Sequence, residues 1–308
     1  MALCRTGSVA QHRQVTTFEI PDVRPVHRIG YGAMQLAGPG VLGPPTDPAR
    51  AEAVLRRAVE LGVDHIDTAD FYGPWTVNEL IAKALRPYPG DLLLATKIGA
   101  YRDREGAWLP LSHPDALKSQ VHDNLRRLGR DVLDLVYLRH VADRPGIELA
   151  DQLGALVELR DQGLVRGIGL SHVTAEQFEQ AQRLTSIAAV QNAYNLLDRG
   201  SADLLERTAR LGVAFVPFFP LGSGFVADSG VRDDQVVRSI AQRRGARPAQ
   251  VSLAWLLRRS PNVLAIPGTS SIEHLEINVS ADRVDLSDED VAELDALVAE
   301  GTAAEQAR

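Results

Sequence analysis

The sequence predicts an α/β chain closed as a (β/α)8 barrel, with a β-hairpin before it and extra C-terminal helices. Three observations carry this. Short β-rich runs alternate with amphipathic stretches along nearly the whole chain. Eight such strand-then-helix units follow one another without a composition break. And Gly30-Tyr31-Gly32-Ala33-Met34, after the hairpin, does not extend into GxGxxG, the phosphate loop of a doubly wound open sheet.

The elements follow in order. Residues 15–20 and 26–29 read as a hairpin split by Pro21 and Pro25. Residues 30–34 read as the first buried strand. Residues 49–61 have helical periodicity, with Asp47 as N-cap, Pro48 in the first turn and Gly62 past the end. His65-Ile66-Asp67 is a strand, followed by a helix over 77–85. A strand over 92–96 and a helix over 114–128 follow. Next come a strand over 132–138, a helix over 150–162, a strand over 165–170 and a helix opened by Thr174. A strand over 188–191, a helix over 202–211 and a strand over 214–216 lead into a glycine-containing loop, 221–233. Helices over 234–243 and 248–258 precede the eighth strand, 263–266, and its helix, 272–279. A surface helix over 288–299 ends the series. Residues 1–14 are polar and read as a flexible N-terminus, and 15–308 as a single barrel domain.

Composition narrows the function. The net charge of −7 argues against nucleic acid as a partner, because phosphate contacts need clustered Lys and Arg. Cys4 is the only cysteine, so no intrachain disulfide forms, which fits a reducing compartment. No apolar run approaches the ~18 residues that span a bilayer. The expectation is a cytoplasmic protein with no membrane partner.

Active sites of parallel barrels form at the C-terminal ends of the strands. Strand two ends in Asp67, and its loop carries Tyr72. Strand three ends in Lys97, and strand four ends near His140. Alone, a buried Asp, Lys or His is usually a structural ion pair or a satisfied core residue. Together they make a proton-transfer device. A free phenol has a pKa near ~10, a neighbouring ammonium favours its phenolate, and Asp67 would hold that ammonium in place. His140 could orient a carbonyl. His65 and Asp67 have metal-ligand chemistry, but no matching cluster lies on later strands, so no metal is expected.

The segments Asp67-Thr68-Ala69-Asp70-Phe71-Tyr72-Gly73, Ala95-Thr96-Lys97 and Leu138-Arg139-His140 resemble the catalytic segments of the aldo-keto reductase superfamily. The resemblance spans roughly residues 29–279. Within the superfamily the chain is similar to a bacterial branch that includes pyridoxal reductases. The resemblance implies reduction of a carbonyl to an alcohol, with Tyr72 as general acid, Lys97 and Asp67 as its tuning pair and His140 as the carbonyl-orienting group. It also implies a nicotinamide cofactor laid across the barrel mouth. Gly32, Ala33 and Met34 match the first cofactor-side loop, and Asp67 is expected to contact the cofactor as well. Ser171 and His172 fall where the family has Ser-Asn on the carboxamide, and Gln191 matches the third amide contact. Phe218 falls where an aromatic, often Tyr, stacks on the nicotinamide. Leu221-Gly222-Ser223-Gly224 looks like the pyrophosphate-side loop, and Pro220 just before it is a further cofactor-side residue. Gly268, Ser270, Ser271, His274 and Asn278 match the adenosine-phosphate end.

Gly268 stands where many relatives have Lys, and Ile277 at a place often acidic. Ser270, Ser271 and the helix start favour NADP(H) over NAD(H). Met34, Trp75, Tyr101, Trp108 and Phe225 are the candidate apolar lining for a small-molecule carbonyl substrate. The same barrel also serves as a non-catalytic, cofactor-binding regulatory subunit, as in potassium-channel β subunits. The complete set of Asp67, Tyr72, Lys97 and His140 favours turnover.

Overall fold

The computed structural model describes residues 16–140, 147–222, 231 and 233–306, with side chains to residue 297. The hairpin comes first. Strand β1 (Thr17–Ile20) pairs antiparallel with β2 (Arg24–His27), Phe18 opposite Val26. Ile20 and Val26 are buried in one cluster with Leu93, Ala95, Leu135, Tyr137, Leu264 and Ile266. These are inward residues of the barrel strands, so the hairpin plugs the N-terminal end and leaves the other end for chemistry.

The barrel strands are β3 (Tyr31–Gly32), β4 (His65–Asp67), β5 (Leu93–Ile98), β8 (Leu133–Arg139), β9 (Val165–Ser171), β10 (Ala189–Gln191) and β11 (Ala214–Phe215). All are parallel, in the order β3-β4-β5-β8-β9-β10-β11. The segment 263–268 closes the ring through parallel bridges, Val263 to Phe215 on one side and Ala265 to Ile29 and Gly268 to Gly32 on the other. Two further strands, β6 (Ala100–Arg102) and β7 (Trp108–Pro110), form an antiparallel hairpin over the mouth.

Helices α1 (Pro48–Glu60), α2 (Thr76–Leu85), α3 (Pro114–Leu128), α4 (Leu149–Asp161), α5 (Ala175–Leu184) and α6 (Ala202–Arg210) link successive strands. Helices α7 (Gln235–Arg244) and α8 (Pro248–Arg259) precede the closing segment, and α9 (Ile272–Val279) and α10 (Asp288–Gln306) follow it. Their boundaries have local causes. Asp47 accepts from the Arg50 amide at 3.0 Å, and Pro48 costs nothing in a first turn. Thr174 and Gln177 form a capping box on α5. Gly129 and Gly245 end α3 and α7 in the left-handed conformation. A large apolar layer, including Val54, Leu55, Ile66, Ile81, Val121 and Trp255, fills the space between barrel and helices.

Three elements differ from the sequence expectation. The first strand is only Tyr31–Gly32, because Ala33–Leu36 turns as a 3-10 helix over the rim. The β6–β7 hairpin was not expected, because its two three-residue strands carry too little alternation to stand out. Helix α10 runs on to Gln306. Most of the loop expected at 221–233 lies outside the described residues.

Candidate active site

The C-terminal ends of the strands open into a cavity of about 440 Å3. Asp67, Tyr72, Lys97 and Gln191 line it, with Phe71, Trp108, Phe218, Phe219, Leu221 and Ile266 as its main apolar wall. Asp67 and Lys97 meet because β4 and β5 are neighbours with Asp67 opposite Ala95. Lys97 Nζ donates to Asp67 Oδ1 and, at 3.0 Å, to the Thr68 carbonyl. The second Asp67 oxygen accepts from Gln191 Nε2 at 2.8 Å. Both charges are almost wholly buried, so each needs the other.

Tyr72 sits over this pair, with Lys97 Nζ 5.0 Å from its ring centroid. Burial opposes the Lys97 charge, but Asp67 and Tyr72 outweigh it and hold the ammonium above the ordinary lysine value. Burial also pushes the Tyr72 phenol up. Lys97 and Arg139 pull it down and Asp67 pushes it up, and the net value stays above that of a free phenol. Lys97 thus acts in the direction the sequence predicts, but burial wins, and Tyr72 carries its proton at neutral pH.

A polar scaffold behind the strand ends escapes sequence reasoning. Thr68 Oγ1 donates to Asn78 Oδ1 at 2.8 Å, and Asn78 Nδ2 to Asn124 Oδ1 at 2.8 Å. Thr96 Oγ1 donates to the same Asn124 oxygen at 2.6 Å. These bonds pin the ends of β4 and β5 to α2 and α3. Gln120 accepts from the Gly99 amide at 2.9 Å and donates to Asp70 at 3.0 Å and to the Ala100 carbonyl at 2.8 Å. The available signal was a polar residue on the buried stripe of a helix, as at Asn78, Gln120 and Asn124.

The fourth strand departs from expectation. Along β8, Leu135 and Tyr137 point into the barrel, while Val136 and Leu138 pack towards the helices. That alternation brings Arg139 to the mouth, and Arg139 lines the cavity. His140 is buried, its amide donates to the Ser171 carbonyl at 3.0 Å, and it does not line the cavity. The position beside Tyr72 and Lys97 that the sequence reading gave to His140 is taken by Arg139.

The aromatic lining also needs correction. Trp75 does not line the cavity; it is 43% exposed, sits just before α2 as its N-cap with φ of 63° and lies under the Arg127 guanidinium at 4.4 Å. A left-handed residue turns the chain there and carries the indole outward. Trp108 does line the cavity, held edge-on to Phe71 at 5.5 Å and capped by Arg102 at 4.1 Å. Met34 lines it too, whereas Tyr101 is exposed and not part of the lining. Phe225 and Ser223 lie outside the described residues.

The cofactor-side residues divide the same way. Gly32, Met34, Asp67, Gln191, Phe218, Pro220, Leu221 and Gly268 line the cavity. Gly32 and Gly268 are bridged, and a Cβ on either would stand 2.5–2.7 Å from backbone oxygen of the facing segment. This favours glycine at 268, since a side chain there would press on backbone. Ser171 is fully buried at the end of β9, and its hydroxyl has no partner among the described residues. A buried hydroxyl of this kind suits an amide ligand.

His172 follows with φ of 61°, a conformation His tolerates better than most residues, and its ring stacks on Phe218 at 6.5 Å. Ala33 is buried behind the rim. Ser270 and His274 are exposed at the start of α9, where Ser271 caps the helix by accepting from the His274 amide at 3.5 Å. Asn278 is buried on that helix. None of these four lines the cavity; Ser270, Ser271 and His274 sit on the surface beyond Gly268. Among the described residues no group of three or more His, Cys, Asp or Glu could hold a metal ion. No described helix is long and apolar enough to cross a membrane.

Comparison with known proteins gives the family. The family model "Aldo/keto reductase family" matches residues 28–299. A pyridoxine 4-dehydrogenase of Escherichia coli K12 is 49% identical over 278 residues, covering 88% of this chain and 95% of the relative. An aldo/keto reductase of Klebsiella pneumoniae, solved in complex with NADP and acetate, superposes with a TM-score of 0.78 at 28% identity, covering 92% of this chain and 95% of that one. A glycerol dehydrogenase of Gluconobacter oxydans, at 22% identity and a TM-score of 0.81 over 92% of this chain and 95% of that one, shares the fold. The chain belongs to the aldo/keto reductase family of oxidoreductases.

Proposed function

We propose that the chain is an NADP(H)-dependent reductase that turns an aldehyde into an alcohol, with Tyr72 as the proton donor. The observation that carries this is the buried Asp67–Lys97 pair beneath a protonated Tyr72, at the edge of an apolar cavity. A bound reduced nicotinamide supplies the hydride. Ser171 and Gln191 would hold its amide and Phe218 its ring face. Gly32 and Gly268 leave room for close backbone approach, and Ser270, Ser271 and the start of α9 would take the adenosine-side phosphate.

The chain's own residues then do the acid chemistry. As the carbonyl carbon gains hydride, its oxygen gains negative charge and takes the Tyr72 proton. Lys97 stabilises the phenolate left behind until it is reprotonated from solvent. Asp67 keeps the ammonium charged and fixed, and Gln191 fixes Asp67. Phe71, Trp108 and Phe218 exclude water and favour a flat, ring-bearing substrate. A small aromatic aldehyde of the pyridoxal kind fits this lining, and the similarity to a pyridoxine 4-dehydrogenase supports it.

Single-turnover NADPH oxidation with pyridoxal tests the reading. Tyr72→Phe keeps the ring and loses the proton, so the rate should fall about 10²–10⁴-fold with NADPH affinity retained. A wild-type rate in Tyr72→Phe would refute the proton path.

A further inference from the structure

The geometry points to Arg139 as the residue that selects the substrate: it pairs with an anionic oxygen, a phenolate or carboxylate, carried beside the carbonyl. This rests on the reductase reading above for its chemistry, but its charge argument stands alone. Three ionic groups line the cavity. Lys97 and Asp67 neutralise each other. Arg139 is left over, and among the described residues no carboxylate pairs with it. It is half-buried, and burial pulls it below the usual arginine value, though a guanidinium stays charged across the working pH range. A partly desolvated cation in an apolar cavity is unfavourable until an anion meets it.

The position favours substrate over cofactor. Arg139 ends the fourth barrel strand, across the ring from the closing segment that carries Gly268. The cofactor's phosphates are expected near Gly268 and Leu221, on that far side. Arg139 and Tyr72 line the same cavity, so proton donor and guanidinium share one reacting volume. With a carbonyl oxygen at Tyr72, Arg139 is the unneutralised cation of the same cavity left to meet a second oxygen beside the carbonyl. Lys97 cannot serve this second oxygen, since Asp67 and the Thr68 carbonyl already hold it. The planar guanidinium fork can take such an oxygen while the aromatic wall holds the ring.

The test compares 3-hydroxypyridine-4-carbaldehyde, ionised at its ring oxygen at pH 8, with its 3-methoxy analogue. Wild type should favour the hydroxy compound in kcat/KM by about 10- to 100-fold, mainly through KM, the span of a hydrogen bond to a charged group. In Arg139→Met the ratio should collapse towards one, and in Arg139→Lys it should fall only part way. Arg139→Gln is the second neutral variant should Arg139→Met fold poorly. No preference in wild type, or an undiminished preference in the neutral variants, overturns the proposal. If neither aldehyde is reduced, the reductase reading fails, and calorimetry with benzoate and benzamide decides the inference separately. Tighter benzoate binding that is lost in the neutral variants supports it, and equal binding of the two overturns it.

Discussion

Lys97 is the residue on which the rest of the site depends. Its ammonium and the Asp67 carboxylate are both out of water, and neither is tolerable alone. Lys97→Met should therefore cost about 3–5 kcal/mol of stability, because it strands a buried carboxylate. Asp67→Asn in the same chain should recover part of that loss, and urea unfolding of the single and double variants measures it. The pH dependence follows from the two raised values. Folding favours the protonated form of both Lys97 and Tyr72. Their stabilisation is complete below the unfolded values, near ~10 to 10.4, and is lost as pH rises through the higher folded values. Stability and reduction rate should thus hold from neutral pH to about 9 and fall together in alkali, where Tyr72 no longer carries a proton. A reduction rate that instead rises through that alkaline range would mean that phenolate, not phenol, is the working form.

At the scale of elements, the β6–β7 hairpin and the Gly32–Gly268 bridge shape the cavity from two sides. The hairpin brings Trp108 over Phe71, while the start of α2 carries Trp75 away. Trp108→Ala should raise KM for an aromatic aldehyde about 3- to 10-fold, the scale of one lost aromatic contact. Trp75→Ala should leave KM unchanged, and steady-state kinetics on the two variants separates the roles. On the other side, a methyl at 268 would stand 2.7 Å from the Gly32 carbonyl oxygen. Gly268→Ala should cost about 1–3 kcal/mol by overpacking and should weaken NADPH binding, since the rim must spread. Chemical denaturation and NADPH fluorescence titration check the two halves of that expectation.

For the whole molecule, closure sets the logic. The hairpin fills one end of the barrel with Ile20 and Val26, so ligands enter by the other. A cofactor lying across that open end would touch the rim from β3 to the closing segment, coupling binding to global stability. NADPH at a hundred times its Kd should then add about 2.7 kcal/mol and raise Tm by several degrees. NADH at the same concentration should shift Tm less if the α9 start takes the 2′-phosphate that NADH lacks. Equal shifts measured by calorimetry would remove that preference.

The order of strands and helices was legible in the chain because apolar periodicity, Asp47-Pro48, Thr174 with Gln177, and Gly129 are local signals that act within a turn or two. Asp67, Tyr72 and Lys97 were legible because each stands at or just after a strand end, where a parallel barrel gathers side chains. Tertiary structure alone decided the rest. Whether Arg139 or His140 faces the cavity depends on the pleat of β8, and a one-residue difference reverses the face. Whether Trp75 or Trp108 lines the wall depends on one left-handed residue and one short hairpin. The balance of the Tyr72 proton depends on burial, which no local pattern measures, because it is the sum of everything packed around the phenol.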